Sequence, residues 1–201
     1  MITIGLTGGI ASGKTTVSGM LVQKGAHLID ADLLAREVVE PGQPAWHEIV
    51  DWLGDSILLP DQKIDRTKLA ELVFSDSVKL DRLNSIIHPK VGSLLIQRSK
   101  EIKEREPEAI IVYDIPLLVE AGMQKMVDMV LLVYVTRNIQ LDRLQNRDGL
   151  CREDAELRLQ AQMPLEKKKK YAHFVIDNSG TFQETARQVE EFWNRMIESK
   201  H

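Results

Sequence analysis

The spacing of apolar positions changes along the chain, and the changes divide it into elements. Ile2, Ile4 and Leu6 alternate with smaller residues, which reads as a short strand. Val17, Met20 and Leu21 then recur at i, i+3, i+4, the repeat of one helix face. Gly25 is placed to end that helix in a left-handed cap. Residues 26–29 form a second short apolar run, closed by Asp30-Ala31-Asp32. From Pro41-Gly42 to residue 106 only helical spacing appears. Its markers are Trp46, Ile49, Val50 and Leu53; Leu69, Leu72 and Val73; and Leu80, Leu83, Ile86 and Ile87, continuing through Val91, Leu94, Leu95 and Ile102. Residues 55–64 read as a loop, and His88-Pro89 interrupts the long helical pattern as a kink or a new helix start. Strand-like runs return at 109–113, ending in Asp114, at 127–135, and at 174–176. They are near-continuous apolar runs, as a buried parallel sheet requires. Between the last two, a helix after Thr136, a turn at Asp148-Gly149 and a second helix lead to Met163-Pro164. Residues 182–199 close the chain as an amphipathic helix with Val189, Phe192, Trp193 and Met196 inward. The pattern predicts an α/β core carrying a helical insertion.

The link between the first strand and the first helix carries the chemistry. Gly8-Gly9-Ile10-Ala11-Ser12-Gly13-Lys14-Thr15 fits G-x-x-x-x-G-K-[ST], and strand–loop–helix is the context that makes the pattern a P-loop. Its glycines let the backbone bend closely around a polyphosphate. The amides of roughly Gly9 to Thr16 can then form an anion nest at the helix N-terminus. The nucleotide-binding candidates are therefore Gly9, Ala11, Ser12, Gly13, Lys14, Thr15 and Thr16. Lys14 is expected to reach the β- and γ-phosphates, and Thr15 to place its hydroxyl on Mg²⁺. The motif implies an NTP with Mg²⁺ and leaves the reaction open.

Other candidates lie at strand ends, where open α/β sheets bind ligands. Asp30 is expected to cap the helix that follows, leaving Asp32 to face the cleft. Asp114 either suits a second Mg²⁺-binding carboxylate, held through water, or serves the strand-end turn, and Glu120 is expected to face the cleft, with a metal contact left open for both. Arg143 and Arg147 are four apart on one helix face, and Arg152, Arg158 and Gln162 follow, which suits a lid over transferring phosphates. A solvated hairpin, with Glu153, Asp154 and Glu156 pairing these arginines, is the alternative. Asn178, in the turn after the last strand, either touches the base or serves the turn. His88 reads as a packing or capping residue, and Lys167 to Lys170 as an exposed helix end.

Composition narrows the classes. The chain has 201 residues, 43% hydrophobic and 28% charged, enough for one large domain with insertions. Net charge is −4, pI is near 5.8 and only 5% of residues are aromatic, which speaks against a nucleic-acid binder. A single cysteine, Cys151, allows no internal disulfide, so a cytoplasmic location is expected. No signal peptide is visible, and the apolar runs are too short to span a bilayer.

Taken in order, Gly5 to Thr16, Ile29 to Asp32, Arg36 to Gly42, His88-Pro89, Asp114 to Glu120, Arg143 with Arg147-Asp148, and Asp177 to Gly180 resemble the dephospho-coenzyme A kinase family nearly end to end. The departure is Ala11, where the family commonly has Gly; alanine fits if that position keeps a negative φ. The resemblance implies a three-layer P-loop kinase fold with a five-stranded parallel sheet. It implies a core of 1–35, 105–148 and 165–201, a helical CoA-binding subdomain at 36–104 and a lid at 149–164. It implies ATP and Mg²⁺, and transfer of the γ-phosphoryl group to the ribose 3′-hydroxyl of dephospho-CoA. Asp32 then matches the general base, and Lys14 and Arg147 hold the transferring group. A monomer or weak homo-oligomer is expected. The rivals are a P-loop kinase for nucleosides or nucleoside monophosphates, a nucleotide switch, and a nucleic-acid-dependent NTPase. No N-K-x-D motif supports the switch.

Overall fold

The computed structural model describes residues 1–74 and 76–198, so the expectation that the last helix reaches Ser199 runs past the described residues. The elements are β1 (Ile2–Gly8), α1 (Lys14–Gln23), β2 (His27–Asp30), α2 (Ala31–Glu37), α3 (Pro44–Leu53), α4 (Arg66–Phe74) and α5 (Ser77–Arg105). They continue with β3 (Ile110–Asp114), β4 (Met129–Tyr134), α6 (Arg137–Asp148), α7 (Arg152–Gln160), α8 (Leu165–Lys168), β5 (Phe174–Asp177) and α9 (Phe182–Glu198). The chain divides into two compact units, Met1–Ile29 with Ile102–His201, and Asp30–Glu101.

The first unit is built on a five-stranded sheet in the order β2-β3-β1-β4-β5. Central β1 pairs in parallel with β3, Leu6 opposite Asp114, and with β4, Gly8 opposite Val133. β4 pairs in parallel with β5, Tyr134 opposite Asp177. Parallel pairing brings Gly8, Asp114, Tyr134 and Asp177 to one edge. The central strands are buried almost throughout, which is why their sequences are continuous apolar runs rather than alternating ones. On one face, Val17 and Leu21 of α1 and Val189, Phe192, Trp193 and Met196 of α9 pack over Ile4, Leu6, Val112, Leu131 and Val133. Each such fully buried side chain contributes about 1.5–3 kcal/mol. α6 and α7 form a hairpin closed by Leu141, Leu144, Ala155 and Leu159. The α9 start is a capping box: Thr181 Oγ1 accepts from the Glu184 amide at 3.3 Å, and Glu184 Oε2 accepts from the Thr181 amide at 2.7 Å.

The second unit is helical, and three of its helices begin on an aspartate. Asp30 Oδ1 accepts from the amides of Asp32 and Leu33 at 2.8 and 3.2 Å. Asp65 serves Thr67 and Lys68, each at 3.1 Å, and Asp76 serves Val78 and Lys79 at 3.0 and 3.3 Å. Ala45, Ile49, Ile57, Ile64, Val73, Leu83, Ile86 and Leu95 are buried. Residues 55–64 are more ordered than a plain loop: a 3₁₀ turn at Asp55–Ile57 and a bridge between Leu58 and Ile64 shape them. His88-Pro89 starts no new helix, because α5 runs through Pro89. Proline removes one amide donor, and 29 residues of α5 supply enough flanking turns to carry the helix past it. β2 begins one residue later than expected, at His27, and takes in Asp30.

Candidate active site: the glycine loop and its braces

Strand β1 ends at Gly8 and helix α1 begins at Lys14, and the backbone between them turns with its carbonyls held from outside. Lys168 Nζ donates to the Gly8 carbonyl at 3.1 Å. The Ser12 amide closes a turn on the Gly9 carbonyl at 3.1 Å. Gln140 Nε2 donates to the Ile10 carbonyl at 2.7 Å, and Arg143 Nη1 to that of Ala11 at 3.3 Å. The Ser12 carbonyl takes Asn178 Nδ2 at 2.8 Å and Arg143 Nη1 at 3.4 Å. The Gly13 carbonyl takes the amides of Thr16 and Val17. In a trans peptide the carbonyl and the following amide point oppositely. Tying back the carbonyls of Ile10 and Ser12 therefore turns the amides of Ala11 and Gly13 the other way. Gly13, with φ of 86°, caps α1 without a side chain, which leaves the Lys14 and Thr15 amides as donors at a positive helix end. The loop is an anion nest, narrower than the sequence suggests. The Ile10 amide is taken by Gln162 Oε1 at 2.9 Å, and the Thr16 amide by Gly13.

The glycines are explained by close approach. A Cβ on Gly13 would stand 2.0 Å from Asn178 Nδ2, and one on Gly9 would stand 2.6 Å from Gln140 Nε2. Ala11 does not keep a negative φ; its φ is 60°. It is the third residue of the turn from Gly9 to Ser12, where a type II turn demands φ above zero. Ser12 is fully buried and its hydroxyl has no hydrogen-bond partner, so it serves the loop through its backbone.

Around the nest stand the charged groups. The Lys14 ammonium pairs with the Asp114 carboxylate at the end of β3, both largely buried. Thr15 is exposed in the first turn of α1. A cavity of about 610 Å³ opens beside the loop, lined among others by Ala11, Thr16, Arg143, Arg147, Asn178 and Phe182. Arg143 Nη2 also donates to the Asn178 carbonyl at 2.8 Å, while Asn178 Oδ1 accepts from Thr185 Oγ1 at 2.8 Å. Asn178 is thus a brace of the loop and a wall of the cavity. Arg147 grips Asp148 through Nε at 2.6 Å and Nη2 at 3.0 Å. That hydrogen bond raises the arginine's pKa and lowers the aspartate's. The arginines meet one of the carboxylates expected and one that was not: Arg152 reaches Glu156 at 3.3 Å, an i, i+4 pair on one helix face, while Arg158 joins Arg147 on Asp148 at 3.2 Å.

The run Lys167 to Lys170 is not simply an exposed helix end. Lys168 is fully buried, with Nζ 2.9 Å from Glu120 Oε1. Glu120 Oε1 also accepts from the Met163 amide at 3.1 Å. Sequence reasoning overlooked Gln140 and Lys168 and gave Gln162 to the lid alone. Gln140 had a signal: it precedes Arg143 and Arg147 by three and seven residues, on the same face of α6. Asp32 stands exposed in the first turn of α2, in the second unit. His88 lies in α5 of that unit, and lost hydration lowers its pKa.

The family model described as dephospho-CoA kinase matches residues 2–184. A dephospho-CoA kinase of Geobacter metallireducens is 50% identical over 198 residues, covering 98% of each chain. The chain belongs to the dephospho-CoA kinase family. A crystal structure from Thermus thermophilus matches with a TM-score of 0.80 at 34% identity, over 96% of this chain and 97% of the other. The dephospho-CoA kinase of Campylobacter jejuni shares the fold, with a TM-score of 0.74 at 24% identity over 99% and 98% of the two chains. Membership in the dephospho-CoA kinase family fits the loop's geometry, since a P-loop kinase needs a nest for phosphates and cations around it.

Proposed function

We propose that this chain transfers the γ-phosphoryl group of ATP to the ribose 3′-hydroxyl of dephospho-CoA, the last step of coenzyme A synthesis, using Mg²⁺. The observation that carries the reading is the braced loop beside Lys14, Asp114 and Arg147, in a chain of this family. The nest amides and Lys14 hold the β- and γ-phosphates, and Gly9 lets Gln140 close on the loop from behind. Thr16 and Asn178 line the cavity that takes the rest of the nucleotide. Asp148 fixes Arg147 through Nε and one Nη2 hydrogen, leaving its other N–H groups for the equatorial oxygens.

Among the described residues, no three His, Cys, Asp or Glu side chains are grouped to hold a metal ion by themselves. The donors beside the loop, the Thr15 hydroxyl and the Asp114 carboxylate, fit a cation shared with phosphate oxygens and water, which is how Mg²⁺ is usually held. When bound, it neutralises charge on those oxygens. Asp32 is the base. The 3′-oxygen forms its bond to the γ-phosphorus as the bond to the β,γ-bridging oxygen breaks, and the hydroxyl proton passes to the Asp32 carboxylate. With Asp30 committed to the cap, the two neighbouring aspartates divide the work. Residues 149–164 act as the lid, closing to keep water from competing as acceptor. Among the described residues no helix is long and apolar enough to cross a membrane. A cytoplasmic, monomeric or weakly self-associating enzyme that does not bind nucleic acid completes the proposal.

The test is to follow ADP release and the mass of dephospho-CoA with Mg²⁺-ATP, using AMP, adenosine and shikimate as alternative acceptors. The expected result is one added phosphate on dephospho-CoA. Asp32→Asn should lower turnover about 10²–10⁴-fold while ADP affinity stays within about twofold, and Lys14→Ala should lose both binding and turnover. Near-wild-type turnover in Asp32→Asn removes the base, and transfer only to another acceptor removes the substrate.

A further inference from the structure

Lys168 is a fully buried ammonium that the phosphoryl-transfer mechanism does not use. A lysine has three donor hydrogens, and here each has one acceptor: the Gly8 carbonyl at 3.1 Å, the Pro116 carbonyl at 2.9 Å and Glu120 Oε1 at 2.9 Å. These acceptors belong to three parts of the site. Gly8 is the last residue of β1 and the first of the glycine loop. Pro116 lies two residues past Asp114, the carboxylate paired with Lys14. Glu120 holds the Met163 amide at the end of the α6–α7 hairpin, next to Gln162, which holds the Ile10 amide.

Retaining such a charge is not explained by stability. Taking an ammonium and a carboxylate out of water costs several kcal/mol per ion, and a well-packed apolar pair of the same volume is often as stable or more so. Burial pushes the Lys168 pKa down, while the Glu120 hydrogen bond and charge oppose the shift. An apolar side chain could fill the space, but it could not fix two carbonyls and a carboxylate at one point. We propose that Lys168 is a positioning residue for phosphoryl transfer, setting the start of the glycine loop against the Asp114 segment and tying the end of the α6–α7 hairpin to both. It touches no substrate atom. It acts through the Gly8 carbonyl on the nest, through Pro116 on the carboxylate beside Lys14, and through Glu120 on the hairpin.

This inference rests on the phosphotransferase reading, and ADP affinity keeps the two separable because it needs no acceptor. The experiment compares the wild type with Lys168→Met and Lys168→Met/Glu120→Gln. It reads ADP affinity by calorimetry, kcat and KM for ATP, and thermal melting. Loss of a hydrogen-bonded charge that orders the site should weaken ADP binding about 10- to 100-fold and lower kcat as well. A merely structural lysine would lower the melting temperature and leave ADP affinity and KM for ATP within twofold; that result overturns the proposal. The double variant leaves no orphaned carboxylate and guards against simple misfolding. If neither Lys168 variant folds, Glu120→Gln decides, since it keeps both carbonyl contacts. It should lower kcat/KM for ATP about three- to tenfold, and unchanged kinetics there reject the coupling. A wild type that binds ADP but does not phosphorylate dephospho-CoA would sink the function and still leave the ADP comparison to judge Lys168.

Discussion

The glycine loop of the first unit and the helix starts of the second are both held by side-chain hydrogen bonds, but from different distances along the chain. Asp30, Asp65 and Asp76 each serve amides two and three residues ahead. The loop is held by Gln140, Arg143, Gln162, Lys168 and Asn178, which are 130 to 166 residues from their partners. A helix start of the second unit therefore carries its instructions within its own sequence. The nest takes its shape only when α6, α8 and the turn after β5 have assembled around it. Local caps can be lost one at a time at small cost, whereas an error in the loop is felt through several braces.

The largest expected effect follows from Gly13→Ala. A Cβ there would overlap Asn178 Nδ2 at 2.0 Å, at a backbone φ of 86°. The left-handed conformation costs an alanine about 1–2 kcal/mol, and displacing Asn178 forfeits its bond to the Ser12 carbonyl, about another 1 kcal/mol. Together these should lower the melting temperature by roughly 4–12 °C and weaken ADP binding more than about tenfold. A variant that binds ADP like the wild type would show that the braces do not set the nest.

A smaller effect should come from the second unit. Asp65→Ala removes the cap of α4 and should cost about 1 kcal/mol, or roughly 2–4 °C in melting temperature for a chain of this size. ADP affinity should stay within twofold, measured by the same titration. If Asp65→Ala weakened ADP binding as much as Gly13→Ala does, the contrast between local and remote support would collapse.

The same contrast explains what could be read in the sequence. The strand–loop–helix order, the cap role of Asp30 and the inward face of α9 are local patterns, and the structure shows them. The parallel sheet follows from apolar runs plus family resemblance. Lys168 could not be told from Lys167, Lys169 and Lys170, because nothing local distinguishes the one that turns inward. Its burial is decided by Gly8, Pro116 and Glu120, far away in the chain. Ala11 went astray for a similar reason. Its sign of φ depends on the turn from Gly9 to Ser12, and that turn is fixed by Gln140 and Arg143.

Ala11 also supplies the finest test, because opposing terms nearly cancel. Glycine in its place removes the left-handed penalty of about 1–2 kcal/mol. It also adds freedom to the unfolded chain, which costs about 0.4–1 kcal/mol. The balance favours Ala11→Gly by no more than about 1.6 kcal/mol, so the melting temperature should rise by a few degrees at most, with turnover retained. Ala11→Val should behave oppositely, since a branched Cβ fits φ of 60° poorly, and should lose both stability and ADP affinity. If valine were tolerated like glycine, the loop could relax to a negative φ at this position. The remote braces would then be following the turn rather than imposing it.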